Sequence, residues 1–258
     1  MTSWAIWRTG ALGDFILTTP VLERCFEDGP TTVIAPLRYR GLLPVGTNWL
    51  DADGLEVTRW LAGSPPPWRV DRAIGWTPTA VEALAQVATR VFVGSPRPEP
   101  PNHAADHLWA PLSPEFGPRD RPPRLISPLG SRRSTRVAIA PGAGAPARRW
   151  PLARWAEVAD LLPEVVWVGG PIEHGERWPT DPVVPPDPAA LARLASEVAA
   201  WLGPDSGPSH LAAALGTPTG VVFTGASDAR CWAPVGATVW NADVSPREIA
   251  RWATRPTS

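Results

Sequence analysis

The segment Gly203-Pro-Asp-Ser-Gly-Pro-Ser-His-Leu-Ala-Ala-Ala-Leu-Gly-Thr-Pro218 admits few folds. It follows an apolar run over residues 197–202 that reads as a buried strand. Pro, Asp, Ser and Gly then turn the chain and cap a helix. Pro208 suits a first helical turn, where its missing N–H costs nothing. Leu211, Ala214 and Leu215 make a short apolar face, and Gly216 with Pro218 stops the helix. The helix start points free N–H groups and the positive end of its dipole at whatever lies above the turn, a natural seat for a diphosphate. Asp205, Ser206, Gly207 and His210 crowd that seat. The same residues equally describe a plain capped helix with a hydrogen-bonded histidine, and the stretch alone does not decide.

The rest of the chain repeats this theme. Trp4-Ala-Ile-Trp7 reads as a strand, Gly10-Ala-Leu-Gly-Asp14 as a sharp turn, and residues 15–22 as a helix that Pro20 kinks or begins. Strands are expected at 32–35, 69–74 and 91–93, with a helix over 80–88. Pro, Arg and Ser dominate residues 118–134, a linker composition. Beyond it come a strand at 137–140, a Gly loop at 141–144 and a helix over 151–162. A strand at 165–168, a helix ending over 191–195, a strand at 220–223 and a terminal helix capped by Ser245 with Glu248 in capping-box position complete the pattern. Alternating strands and helices predict an α/β protein of two domains with parallel sheets, residues 1–125 and 126–258. The terminal helix, 245–254, is expected to pack back on the N-terminal domain.

Composition removes several function classes. The net charge of −1 recruits neither nucleic acid nor an anionic membrane. All 24 basic residues are arginine, so any phosphate clamp is a planar fork that keeps its proton. Cys25 and Cys231 stand far apart without ligand spacing, which suits a reducing compartment. No signal peptide or bilayer-spanning run is evident, so a cytoplasmic protein is expected. The fifteen tryptophans are expected to anchor cores or a domain interface.

Four motifs are candidates for chemistry. Gly142-Ala-Gly144 follows a strand but is a poor dinucleotide fingerprint, because Pro146, Arg148 and Arg149 precede the helix. The Arg-Arg-Trp-Pro ending suits side-chain capture of a phosphate, and an exposed basic turn remains the plain reading for one arginine. The Gly10–Gly13 loop allows close approach to a ligand and sets Asp14 at a helix start, where on the residues alone a cap is favoured. Glu173 lies just beyond a strand end, in the crevice where open α/β sheets bind ligands, or in a solvated turn. His103 and His107 stand at zinc-helix spacing without the glutamate or a third ligand, which favours packing.

In combination these motifs resemble glycosyltransferase family 9, the ADP-heptose:lipopolysaccharide heptosyltransferases. Residues 8–22 are similar to the family's N-terminal signature, and Pro141–Pro151, Gly169–Glu173 and Gly203–His210 to its three later motifs, in order. The resemblance implies a GT-B architecture of two Rossmann-like domains, the first binding acceptor and the second nucleotide-sugar. It implies inversion without metal or other cofactor, and a glycan or glycolipid acceptor; separately, a monomer is expected. Asp14 matches the family's general base, and Gly10, Gly13 and Thr18 fall on the acceptor-side loop. Arg148 takes the place of a phosphate-binding lysine. Gly142, Gly144, Glu173, Asp205, Ser206, Gly207 and His210 match donor-binding positions. A lipid-linked acceptor would bring peripheral contact with the inner membrane, although no basic amphipathic helix is obvious.

Two departures stand out: arginine for lysine at 148, and a short N-terminal domain. The second motivates two competing readings, a non-catalytic nucleotide-sugar-binding protein and a related nucleotide-sugar epimerase or hydrolase.

Overall fold

The computed structural model describes residues 1–125, 134–170 and 178–255. The chain divides into two compact units, 1–123 and 124–258, a boundary two residues from the expected 125.

In the N-terminal unit β1 (Trp4–Trp7) leads through a loop into α1 (Leu12–Leu17) and α2 (Thr19–Asp28). Pro20 occupies the first turn of α2, so of the two expected roles it begins a helix rather than kinking one, and the chain breaks between α1 and α2 at Thr18. Then follow β2 (Thr31–Ala35), a 3-10 turn (Leu37–Leu42), β3 (Asn48–Asp51), α3 (Leu55–Leu61), β4 (Val70–Gly75), α4 (Pro78–Leu84), β5 (Ala88–Val93), α5 (Ala104–Trp109) and α6 (Ser113–Phe116). The five strands are parallel in the order β3-β2-β1-β4-β5. β1 is central and buried along its whole length, as a strand covered on both faces requires. One core gathers Trp7, Ile34, Val57, Trp60, Ala80 and Leu84. β3 and α3 had no counterpart in the sequence reading.

The C-terminal unit runs β6 (Val137–Ile139), α7 (Leu152–Ala159), β7 (Val165–Trp167), α8 (Pro188–Glu197), β8 (Ala200–Pro204), α9 (Gly207–Ala214), β9 (Thr219–Phe223), α10 (Ala229–Trp232), β10 (Thr238–Asn241) and α11 (Pro246–Ala253). Its parallel sheet has the order β10-β9-β8-β6-β7. The strand expected from 197 begins at Ala200, because α8 extends through Glu197. α11 begins at the predicted Ser245 cap, whose side chain accepts from the Glu248 N–H at 3.2 Å. It buries Ile249 and Ala250 in a core with Trp150, Trp155 and Val158, all of its own unit. Trp150 donates its indole N–H to the Ala242 carbonyl at 2.9 Å, tying this end of the chain to the start of α7.

Both cysteines are free and buried, Cys25 in α2 and Cys231 in α10. Burial pushes the Cys25 thiol well above its ordinary range.

Candidate active site

Open parallel sheets bind ligands beyond the carboxyl ends of their strands, where the strand order reverses. In the C-terminal unit that point lies between β6 and β8, since β7 and β8 leave β6 in opposite directions. A cavity of about 330 Å³ opens there. Gly142, Ala143 and Gly144 line it from the loop after β6, and Val168–Gly170 from the loop after β7. Ser206, Gly207 and Pro208 contribute the start of α9, and Pro185–Pro188 with Leu191 the start of α8. Gly142, Gly144, Gly169, Gly170 and Gly207 leave backbone open to the space, while Val168, Leu191 and the prolines give it apolar walls.

α9 is built as its sequence predicts. Ser206 is its cap, accepting from the Ser209 N–H at 3.4 Å, and Pro208 sits in the first turn. The Ser209 hydroxyl donates to the Pro204 carbonyl at 2.8 Å. Gly203 has no room for a side chain: a Cβ would stand 2.8 Å from the Ala140 carbonyl and 3.0 Å from the Ser209 hydroxyl. Glycine is thus what lets β8 lie close to β6 beneath the cavity.

Asp205 does not line the cavity; it is 4 % exposed and organises the site from behind. Ser227 donates to its Oδ2 at 2.7 Å, and Arg148 Nη1 lies 3.3 Å from the same oxygen. His210 Nε2 is 3.7 Å from Oδ1. Burial alone would raise the Asp205 carboxyl, but the adjacent His210 ring, the Ser227 hydrogen bond and the charge of Arg148 hold it below the usual carboxylate range. Arg148 Nη1 also donates to the Asp205 carbonyl at 3.4 Å. The second arginine takes the structural part of the basic turn, its Nε donating to the Ala143 carbonyl at 3.1 Å and so holding the Gly loop. Thr224 donates to the Ala147 carbonyl at 2.7 Å and fixes the turn that carries Arg148.

The N-terminal unit has its own reversal point, between β1 and β4. Gly10 turns there with φ 122°, a conformation open to glycine, and a Cβ on it would lie 2.9 Å from Asp14 Oδ2. Asp14 stands in the first turn of α1 and accepts from the Ala11 N–H at 3.1 Å. It is therefore the cap that the residues suggest. Arg8, which directly follows β1, is 5 % exposed and brings Nη2 to 3.3 Å from Asp14 Oδ1. Gly13 is buried within α1. Thr18 is fully buried and donates to the Asp14 carbonyl at 2.8 Å, so its hydroxyl serves the break between α1 and α2.

Glu173 lies outside the described residues. His103 caps α5, its Nδ1 accepting from the Ala105 N–H, and His107 Nε2 is 2.8 Å from the Ser95 carbonyl. Among the described residues no group of three His, Cys, Asp or Glu side chains is arranged to hold a metal. The sequence reading assigned no role to Arg8 or Ser227, nor to the Pro185–Pro188 wall. Arg8 was signalled by a charge at the end of an otherwise apolar strand, and the wall by its proline run. Ser227, 22 residues from Asp205, gave no signal.

The model of glycosyltransferase family 9 (heptosyltransferase) matches residues 188–248, which contain α8, β8, α9 and β9. Comparison with curated protein sequences gives no match. Solved structures match nearly the whole chain. A family 9 glycosyltransferase from Veillonella parvula aligns with TM-score 0.78 and 18 % identity, over 98 % of this chain and 96 % of that one. The E. coli heptosyltransferase WaaC, solved with ADP, aligns with TM-score 0.71 and 13 % identity, over 97 % and 98 %. E. coli ADP-heptose lipopolysaccharide heptosyltransferase II gives 0.70 and 18 %, over 98 % and 97 %. At these identities the structural matches establish the shared fold, two parallel-sheet Rossmann-like units. The family-model match is confined to residues 188–248, around the β8–α9 turn, and with the shared fold it makes the chain similar to the glycosyltransferases of family 9.

Proposed function

We propose that the chain transfers a sugar, with inversion and without a metal, from a nucleotide-sugar to a hydroxyl of a cell-envelope glycan. ADP-heptose is the first choice of donor. One observation carries the reading: a cavity at a strand-order reversal, walled by glycines and by the start of α9, with an arginine on the adjoining turn. Its size is at the lower end of the range for small-molecule sites, roughly 300–1,000 Å³. The solved E. coli WaaC complexes with ADP and with ADP-2-deoxy-2-fluoro heptose support an adenine nucleotide.

In this reading the N–H groups at the start of α9 and the Arg148 guanidinium face the diphosphate. As the bond from the anomeric carbon to the phosphate oxygen breaks, the leaving group keeps the electron pair, and these donors stabilise the added charge. Asp14 takes the proton from the acceptor hydroxyl as its oxygen attacks. A carboxylate that caps its helix through one oxygen keeps further lone pairs for this task. Asp205 acts through Arg148 and His210, whose positions it fixes. Among the described residues no helix is long and apolar enough to cross a membrane. A lipid-linked acceptor would therefore be met by peripheral contact.

The test is calorimetric binding of ADP, UDP, GDP and CDP, with and without EDTA, to the wild type and to Arg148→Met. Turnover of ADP-heptose with envelope glycan acceptors follows. Selective ADP binding, insensitive to EDTA and weakened at least tenfold in the variant, is expected. Another preferred nucleotide would move the donor and keep the reaction. ADP binding without transfer to any acceptor would favour a binding protein, and donor breakdown indifferent to acceptor a hydrolase or epimerase. No nucleotide binding by the folded protein would overturn the proposal.

A further inference from the structure

We propose that Arg8 is a positioning residue for the Asp14 carboxylate, a buried cation that fixes which of its edges is left for the acceptor hydroxyl. The inference rests on the reading of Asp14 as the base.

The geometry is specific. Arg8 Nη2 stands 3.3 Å from Asp14 Oδ1, while the Ala11 N–H holds Oδ2 at 3.1 Å. Each oxygen has its own partner, so the plane of the carboxylate is set. Arg8 Nε lies 3.4 Å from the Asp14 carbonyl, so one side chain grips both ends of the residue. The guanidinium lies over the Trp76 ring, 5.5 Å from its centroid, and Trp76 is itself locked by donating its indole N–H to the Leu108 carbonyl at 3.2 Å. The loop is held from the other side by Tyr39, whose hydroxyl donates to the Gly10 carbonyl at 3.0 Å.

Burying a guanidinium is costly, and burial lowers the Arg8 pKa against the opposing pull of Asp14. Bracing the loop would need only a neutral donor to the Asp14 carbonyl. A full positive charge, packed on an aromatic face and reaching Oδ1, is what orienting an ionised carboxylate requires. The Asp14 side chain remains 30 % exposed, whereas that of Arg8 is 6 % exposed, so the cation sits inside and the reactive edge outside.

The experiment uses the full chain with Arg8→Met, which keeps length and loses charge, and Arg8→Lys, which keeps charge and loses the fork. Arg8→Met is expected to lower kcat by about 10- to 100-fold, the scale of a misplaced catalytic group. Its KM for donor, ADP affinity and melting temperature should stay close to wild type, and Arg8→Lys should recover part of kcat. Wild-type kcat in Arg8→Met, or equal losses in both variants, would overturn the inference. A readout independent of turnover is the crystal structure of Arg8→Met. An Asp14 carboxylate that leaves its place or takes several rotamers supports the inference, and one that stays put overturns it. Should the wild type transfer no sugar, the reading of Asp14 as base fails, while the crystal structure still decides whether Arg8 orients it.

Discussion

The two units carry the same pair of residue types turned inside out. In the N-terminal unit the arginine is buried and the aspartate reaches solvent, with side-chain exposures of 6 % for Arg8 and 30 % for Asp14. In the C-terminal unit the aspartate is buried and the arginine reaches solvent, 6 % for Asp205 and 34 % for Arg148. The ion-pair separations are the same, 3.3 Å. What differs is the sign of the charge each unit leaves exposed: an anion beside the Gly10 turn, a cation beside the α9 cavity. A salt bridge at the end of a parallel sheet is therefore not one kind of feature: its exposed member sets the sign shown to solvent. A base wants an exposed carboxylate, and a leaving diphosphate wants an exposed guanidinium.

The comparison breaks most visibly at Asp14. Asp14→Asn keeps the cap and removes the charge, and should lower kcat about 1,000-fold, within the range for a general base. ADP affinity, measured by calorimetry, should change less than about twofold, because the cavity proposed for the donor is lined wholly by residues of the other unit. Comparable losses in both would erase the division of labour.

Asp205→Ala should do the reverse. It leaves the Ser227 hydroxyl, His210 and Arg148 without their common acceptor, and should cost about 2 kcal/mol in denaturant unfolding together with most ADP binding. Unchanged ADP binding would mean that Arg148 needs no buried anchor.

Gly203→Ala sharpens the packing side of the contrast. The added Cβ meets backbone at 2.8 Å and should cost about 1–3 kcal/mol, as overpacking does. At Gly144 the nearest atom to a Cβ would be Arg148 Nη2 at 3.8 Å, so Gly144→Ala should leave the melting temperature within about a degree.

The smallest effect is in pH. Asp205 is held below its ordinary 3.8, so the unfolded chain takes up this proton first as pH falls. The stability it contributes is fully present above the ordinary value and is lost as pH drops through the lowered one. Unfolding of wild type and Asp205→Asn between pH 6 and 2.5 should show a difference that shrinks with acid below about pH 4. A constant difference would remove Asp205 titration as its source.

How much of this was legible in the sequence follows from burial and distance. β1, β6 and β9 are central or nearly so, covered on both faces, and write themselves as apolar runs between turn residues. β3 and β10 are sheet edges, half exposed, and Asn-Trp-Leu-Asp and Thr-Val-Trp-Asn carry too little apolar signal to announce a strand. α8 and β8 blur because both are rich in Ala and Leu, with Val198 and Ala199 alone between them. The Asp205 turn was legible because capping is local chemistry within a few residues. Its partners were not. Arg148 stands 57 positions away and Ser227 22, and only the strand order brings them together. Arg8 lies six residues from Asp14, yet its role depends on Trp76, which arrives from β4.

The cysteines have a practical consequence. Each unit holds one, Cys25 in α2 and Cys231 in α10, neither bonded and both shielded from solvent. A thiol reagent in excess under native conditions thus reads two clocks, the opening of each unit around its own sulfur. With mass spectrometry to separate the labels, the protein reports whether its halves come apart together or in sequence, and which of them a nucleotide slows.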